Sequence, residues 1–323
     1  MAGTTSGSAG PWSTYDIGDQ TGRVALITGA NSGIGLEAAR ELALKGATII
    51  LACRSLQRAE AAVSDIASSF AVAGSIDQAE ARDRLVIELV DVGVLGSVRD
   101  LADRVSASHS RLDLLINNAG IMAVPRSLTV DGIESQLATN HLGHFLLTAR
   151  LFPLLQAADA ARVVSIASLA HRRGRFDFED MTLSSSHPYT PMGAYQRSKL
   201  ANLLFTYELQ RRLSATNAGV LAVAAHPGLT DTSLATGGDR PVWFRLLRPV
   251  VGQLLQGPIT GALPTLRAAT DPTVVGGQYY GPGKFQETSG PPVIVASNAR
   301  SHDPSLATRL WAWSEQAVGL SFL

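Results

Sequence analysis

One cysteine, Cys53, stands in the whole chain, which excludes an internal disulfide and any CxxC metal or redox pair and fits a reducing compartment. Charge of one sign is missing too. The 27 Lys plus Arg are matched by 27 Asp plus Glu, so no net field favours nucleic acid, anionic lipid or an acidic partner. The seven histidines include no HExxH pair, and no metal site is expected. No apolar run approaches the roughly 18 residues needed to cross a bilayer. Met1 to Gly10 is small and polar, unlike the basic and then apolar start of a signal peptide. A soluble, cytoplasmic protein is expected, with residues 1–18 as a disordered leader and 19–323 as a single domain.

What is present is an alternation of apolar runs and amphipathic stretches. Arg23 to Thr28, Ala47 to Ala52, Leu85 to Val90, Leu112 to Asn117, Arg162 to Ala167 and Val220 to Ala225 read as strands. Ile34 to Lys45, Leu56 to Ser68, Val98 to Ser106, Ile133 to Leu155 and Ala194 to Leu213 read as the helices between them. Gly276 to Pro282 is a seventh strand with its turn, and Arg309 to Val318 a closing helix. Near-continuous apolar strands separated by helices indicate an α/β fold, a doubly wound parallel sheet covered on both faces. Phe70 to Asp83 and Phe176 to Met192 break the alternation and read as surface insertions.

The first strand runs into Thr28-Gly29-Ala30-Asn31-Ser32-Gly33-Ile34-Gly35. Gly29 makes a tight turn, Gly33 lets backbone N–H groups approach a pyrophosphate, and Gly35 lets the helix pack on the strand; the helix N-terminus then favours the anion. At the end of the second strand an NAD enzyme needs a carboxylate for the ribose hydroxyls, but Cys53 occupies that place. Arg54 and Ser55 follow, a guanidinium and a hydroxyl suited to a 2′-phosphate, so NADP(H) is the expected cofactor.

The glycine spacing resembles the TGxxxGxG of the short-chain dehydrogenase/reductase family, and the resemblance runs from about Thr21 to Thr232. It implies a Rossmann-type fold and the following site. Asp91 and Val92 at the end of the third strand hold the adenine ring. Asn118, Ala119 and Gly120 of Asn117-Asn118-Ala119-Gly120 look like the family's NNAG, which steadies the sheet and lines the cofactor. Pro227, Gly228 and Thr232 contact the nicotinamide or the phosphates. Asn140, in Asn140-His141-Leu142-Gly143-His144-Phe145, holds a relay water.

Tyr195 and Lys199 stand four apart on one helical face. A carbonyl accepting hydride needs a proton donor, and a phenol with a pKa of about 10 is poorly matched to neutral pH. An ammonium nearby favours phenolate, so the expectation is that Lys199 lowers the Tyr195 pKa. Ser168 ends the fifth strand, where doubly wound sheets place ligands, and its hydroxyl polarises the carbonyl. It aligns with the family's serine better than Ser165 does. The long step from Ser168 to Tyr195 resembles the retinol-dehydrogenase-like branch. His141, His144 and His171 are read as packing residues, and Cys53 as a small hydrophobe.

These features imply reversible interconversion of a carbonyl and an alcohol on a lipophilic small molecule. Two alternatives stay open: reduction of a conjugated C=C bond, as in protochlorophyllide reductases, and a nucleotide-binding regulator without chemistry. Val242 to Val251, within a substrate-side stretch near 229–256, is either a substrate-covering lid, with contact to a membrane surface left open, or an amphipathic helix packed on the core. A homodimer or homotetramer follows by family analogy alone.

Overall fold

The computed structural model describes residues 10–73, 78–183, 188–229 and 257–323. Eight strands form one sheet: β1 (Val24–Thr28), β2 (Thr48–Cys53), β3 (Leu85–Leu89), β4 (Leu114–Asn117), β5 (Arg162–Ile166), β6 (Leu221–Ala225), β7 (Tyr279–Lys284) and β8 (Ser289–Ile294). Their order is β3-β2-β1-β4-β5-β6-β7-β8, parallel throughout except for β8 against β7. The strand order reverses between β1 and β4. Helices α1 (Gly33–Leu44), α2 (Leu56–Ala73), α3 (Gln78–Asp83), α4 (Leu95–Ser108), α5 (Ser135–Leu137), α6 (Gly143–Gln156), α7 (Pro191–Ala215), α8 (Pro258–Thr270) and α9 (Pro304–Val318) are the α-helices among the described residues.

Alternate side chains of each strand serve opposite layers. Ala25 and Ile27 of β1, with Ile49 and Leu51 of β2, pack in one layer with α1, α2 and α8. Leu26 and Ile50 pack in the other with α4, α6, α7 and α9. This two-sided burial is why the strands read as continuous apolar runs.

Several expectations are corrected. Ordered structure starts before Asp19: Thr14–Asp16 form a turn of 3-10 helix, Ile17 is buried, and Trp12 packs against the core. The helix expected over Ile133 to Leu155 is broken into α5, a π turn at Ala138–Leu142 and α6. The two presumed surface insertions contribute buried residues, namely Phe70, Ala81 and Met181. Helix α8 and strand β8 were not legible, because both carry prolines. Pro258 sits at the helix start, where no N–H is needed, and Pro291 and Pro292 lie on an edge strand.

The segment before α7 is docked by a buried polar cluster. Glu134 caps α5, accepting the N–H of Gln136 at 3.0 Å and of Leu137 at 2.9 Å. Tyr189 donates to the same carboxylate, and the Arg197 guanidinium lies 3.7 Å away. Arg197 in turn donates to the Met181 carbonyl at 3.0 Å. Removing one member leaves a buried charge without its partner. Glu134→Ala should therefore lower the unfolding free energy in urea by about 3–5 kcal/mol. Adding Arg197→Met to it should cost much less than Arg197→Met alone, and additive losses would rule out the coupling.

Candidate active site

The reversal of strand order places two backbone crossings side by side at the carboxyl ends of β1 and β4, and a cleft opens there. Asn118 ties the edges of this cleft together. Its Nδ2 donates to the Thr28 carbonyl at 2.7 Å, and its own N–H and that of Ala119 donate to Thr28 Oγ1 at 2.9 Å each. The glycines fit this crowding. Gly29 and Gly33 have φ of +68° and +57°, and a Cβ on Gly35 would stand 2.4 Å from Asn118 Nδ2.

A cavity of about 640 Å³ occupies the cleft. Gly29, Asn31, Ser32, Gly33 and Ile34 line one wall, and Asp91, Val92, Asn118, Ala119 and Gly120 line another. Cys53, Arg54 and Ser55 line it too, so the sequence-derived cofactor residues of the first half of the chain converge, Gly35 packing just behind. Arg58, Ile121, Val124 and Thr139 also line it and were missed. Arg58 had a readable signal, since it stands four residues after Arg54, in the first turn of α2. Asp91 forms a local turn, its carboxylate accepting the Gly93 N–H at 2.9 Å. Burial pushes the Cys53 thiol up to about 11, which leaves a neutral group beside the two arginines.

Beyond Gly120 lies the second group of expected residues. Lys199 Nζ is 3.7 Å from where a Gly120 Cβ would stand, an ordinary contact distance, whereas Asn140 Oδ1 would be only 3.1 Å from it, so a side chain at 120 would press on Asn140. Lys199 is buried, donates to the Ile166 carbonyl at 2.9 Å and lies 5.7 Å from the centre of the Tyr195 ring. The Ser168 hydroxyl lies beside the Tyr195 phenol and acts to lower its pKa. Ser168 also caps a 3-10 turn, accepting the Ala170 N–H at 3.2 Å. Ser165 lies within β5, and it is Ser168 that faces the phenol.

The electrostatics differ from the sequence expectation. Burial raises the Tyr195 pKa above that of an ordinary phenol, opposed by the nearby Ser168 hydroxyl and not by Lys199. Burial also pushes Lys199 down to about 8. Loss of water around both heads outweighs their attraction while the ammonium is turned toward the Ile166 carbonyl.

Asn140 sits in the π turn with its side chain fully engaged. Its Oδ1 accepts the Ile121 N–H at 2.8 Å, and its Nδ2 donates to the Ile121 carbonyl at 2.9 Å and to Ser198 Oγ at 2.8 Å. Ser198 passes the link to the Tyr195 carbonyl at 2.8 Å. At the far side, Gly228 has φ of +71°, and a Cβ there would stand 2.5 Å from the Thr288 carbonyl. Pro227 precedes it at the end of β6, on the same carboxyl edge of the sheet. Thr232 and the 241–251 segment lie outside the described residues.

Positive-φ glycines at the wall, a helix start whose Ser32 makes no side-chain cap, and two arginines suit a dinucleotide. Among the described residues, no cluster of His, Cys, Asp and Glu could hold a metal ion. No helix among them is long and apolar enough to cross a membrane.

Comparison with known proteins agrees with this architecture. The profile of the short chain dehydrogenase family matches residues 23–179. Retinol dehydrogenase 14 of Mus musculus is 38% identical over 308 residues, which cover 94% of this chain and 88% of that protein. Retinol dehydrogenase 13 of Homo sapiens is 38% identical over 304 residues, covering 93% and 85%. Among solved structures, an uncharacterized protein from Mycobacterium Paratuberculosis has a TM-score of 0.78 and 40% identity, covering 97% of this chain and all of that one (100%). A short chain dehydrogenase from Burkholderia cenocepacia J2315, solved in complex with NADP, has a TM-score of 0.60 and 25% identity over 80% of this chain and 96% of that one. With its strand order, its glycine-walled cleft and these relatives in agreement, the chain belongs to the retinol dehydrogenase-like short-chain dehydrogenases and is an alcohol/carbonyl oxidoreductase.

Proposed function

We propose that this protein interconverts a lipophilic aldehyde or ketone and its alcohol with NADP(H), using Tyr195 as proton donor and acceptor. The observation that carries this reading is the meeting of the Tyr195 phenol with the Ser168 hydroxyl, beside the buried Lys199 and one glycine away from the cleft. The relatives named retinol dehydrogenases support a lipophilic alcohol as the substrate class.

A bound nicotinamide supplies or accepts the hydride. The chain's own residues handle the proton and the charge. In reduction, the substrate oxygen gains negative charge as its carbon is reduced, and Ser168 Oγ donates a hydrogen bond to it. Tyr195 Oη delivers the proton to that oxygen. Burial keeps the phenol protonated, so the proton is in place before the reaction, and charge that arrives with ligands has to ease its release. After transfer the phenolate needs a compensating charge, and the Lys199 ammonium is the nearby cation that supplies it. Asn140, through Ser198, fixes the backbone of Tyr195.

Arg54 and Arg58 support the cofactor preference. Both line the cleft and both are exposed to solvent, so their guanidinium groups are available to a 2′-phosphate.

Tyr195→Phe should bind NADPH nearly as the wild type does, yet lose most turnover with a panel of aldehydes that includes retinaldehyde. Retention of more than about a tenth of the rate constant, a barrier change of only ~1.4 kcal/mol, would remove Tyr195 from this role. Arg54→Ala with Arg58→Ala should raise the NADPH Kd at least about tenfold while moving the NADH Kd less than about threefold, followed by nicotinamide fluorescence. Tighter binding of NADH than NADPH by the wild type would overturn the preference.

Lys199 adds a pH signature of folding. Its folded value is about 8, against 10.5 for an ordinary lysine. Below the lower value both states hold the proton; between the two values only the unfolded chain does, so stability rises with pH across that window. The unfolding free energy of the wild type should climb relative to Lys199→Met over this range. A constant difference would show that the ammonium is not desolvated.

A further inference from the structure

The buried ring of His144 joins the glycine turn to Asn140, and its hydrogen bonds fix where its proton sits. His144 is at the start of α6, one turn after Asn140. Its Nδ1 lies 3.1 Å from the Asn140 main-chain oxygen, and its Nε2 lies 2.8 Å from Thr28 Oγ1. A carbonyl oxygen only accepts, so Nδ1 carries the proton. Burial, with the charge of Lys199, pushes the ring down to about 4, so it is neutral and Nε2 is an acceptor. His141 is the other titratable group coupled to it.

The Thr28 hydroxyl completes the chain. Its oxygen accepts the N–H groups of Asn118 and Ala119. Its one proton has two acceptors in reach, the Ile116 carbonyl at 3.4 Å and His144 Nε2 at 2.8 Å. The shorter contact wins, since with the proton elsewhere the bare nitrogen would face the hydroxyl oxygen unpaired. A directed relay results: two N–H groups of the cleft wall to Thr28, Thr28 to His144, His144 to Asn140, and from the Asn140 amide through Ser198 to the Tyr195 carbonyl.

The two ends of the ring serve different parts of the site. Asn118, Ala119 and Gly29 beside Thr28 are walls of the cofactor cleft. Asn140 lies in the π turn, a departure from α geometry that needs local support. We propose that His144 is a positioning residue that couples the cofactor cleft to the proton donor, holding the glycine turn with Nε2 and the Asn140 peptide with Nδ1. This rests on the reading of Tyr195 given above.

The side chains of Asn and Gln separate the two bonds. An Asn amide reaches about as far as Nδ1, and a Gln amide about as far as Nε2. His144→Asn keeps a donor for the Asn140 carbonyl and loses Thr28; the NADPH Kd should rise about tenfold, with kcat within about threefold. His144→Gln keeps a partner for Thr28 and loses Asn140; kcat should fall about tenfold, with Kd within about threefold. His144→Leu should show both losses. Equal shifts of kcat and Kd in the Asn and Gln variants, following their loss of Tm, would reduce His144 to a packing residue and overturn the proposal; so would three variants within about twofold of the wild type.

A second measurement needs neither a variant nor turnover. Ring nitrogen–proton correlation spectra of the labelled wild-type protein should show His144 with Nδ1–H and a bare Nε2, unchanged from about pH 5.5 to about pH 8. An Nε2–H tautomer or a titrating ring in that range would overturn the proposal. Should Tyr195→Phe keep its turnover, the proposed proton donor fails, while the ring spectrum and the Kd of His144→Asn still decide the part played by His144.

Discussion

Two strands that are neighbours in the sheet but far apart in sequence have to be locked together at one end, and the site depends on that lock. β1 and β4 send their connections to opposite faces, so nothing covalent closes the gap between their carboxyl ends. The Asn118 amide and the Thr28 hydroxyl close it with hydrogen bonds of 2.7 to 2.9 Å. The glycine turn, the cleft and the approach to Lys199 all follow from how close these ends come. Any side chain larger than hydrogen at position 35 would force them apart.

Beyond that lock, the site is governed by the removal of water. Tyr195 and Lys199 are both buried, and each is displaced toward its uncharged form, the phenol upward and the ammonium downward. Proximity in sequence on one helical face predicted mutual stabilisation of charge. The folded geometry shows desolvation as the larger effect, because the lysine's partner is the Ile166 carbonyl. Charge has to arrive with ligands before the pair can favour phenolate.

Much of the fold could be read from the chain, since two-faced burial writes itself as apolar runs and the glycine turn writes itself as spacing. Seven strands lie where those runs placed them, with ends shifted by a few residues. The eighth strand was hidden because Pro291 and Pro292 contradict strand propensity, and an edge position is what tolerates them. The break before α6 was hidden because Ile133 to Leu155 keeps helical periodicity through the π turn. Arg58 was overlooked, although its spacing from Arg54 was visible. His144 was set aside as packing because its meaning lies in a contact with Thr28, more than a hundred positions earlier, that no local pattern encodes.

The prolines of β8 have a bearing on how molecules of this kind meet one another. A sheet that ends in an ordinary strand offers a row of free N–H and C=O groups, and another chain can add to it as a further strand. Consecutive prolines on β8 remove one donor pointing inward and one pointing outward, so the row is interrupted on this side. Continuous sheet running from copy to copy, the geometry of fibrous aggregates, is thereby blocked at this border.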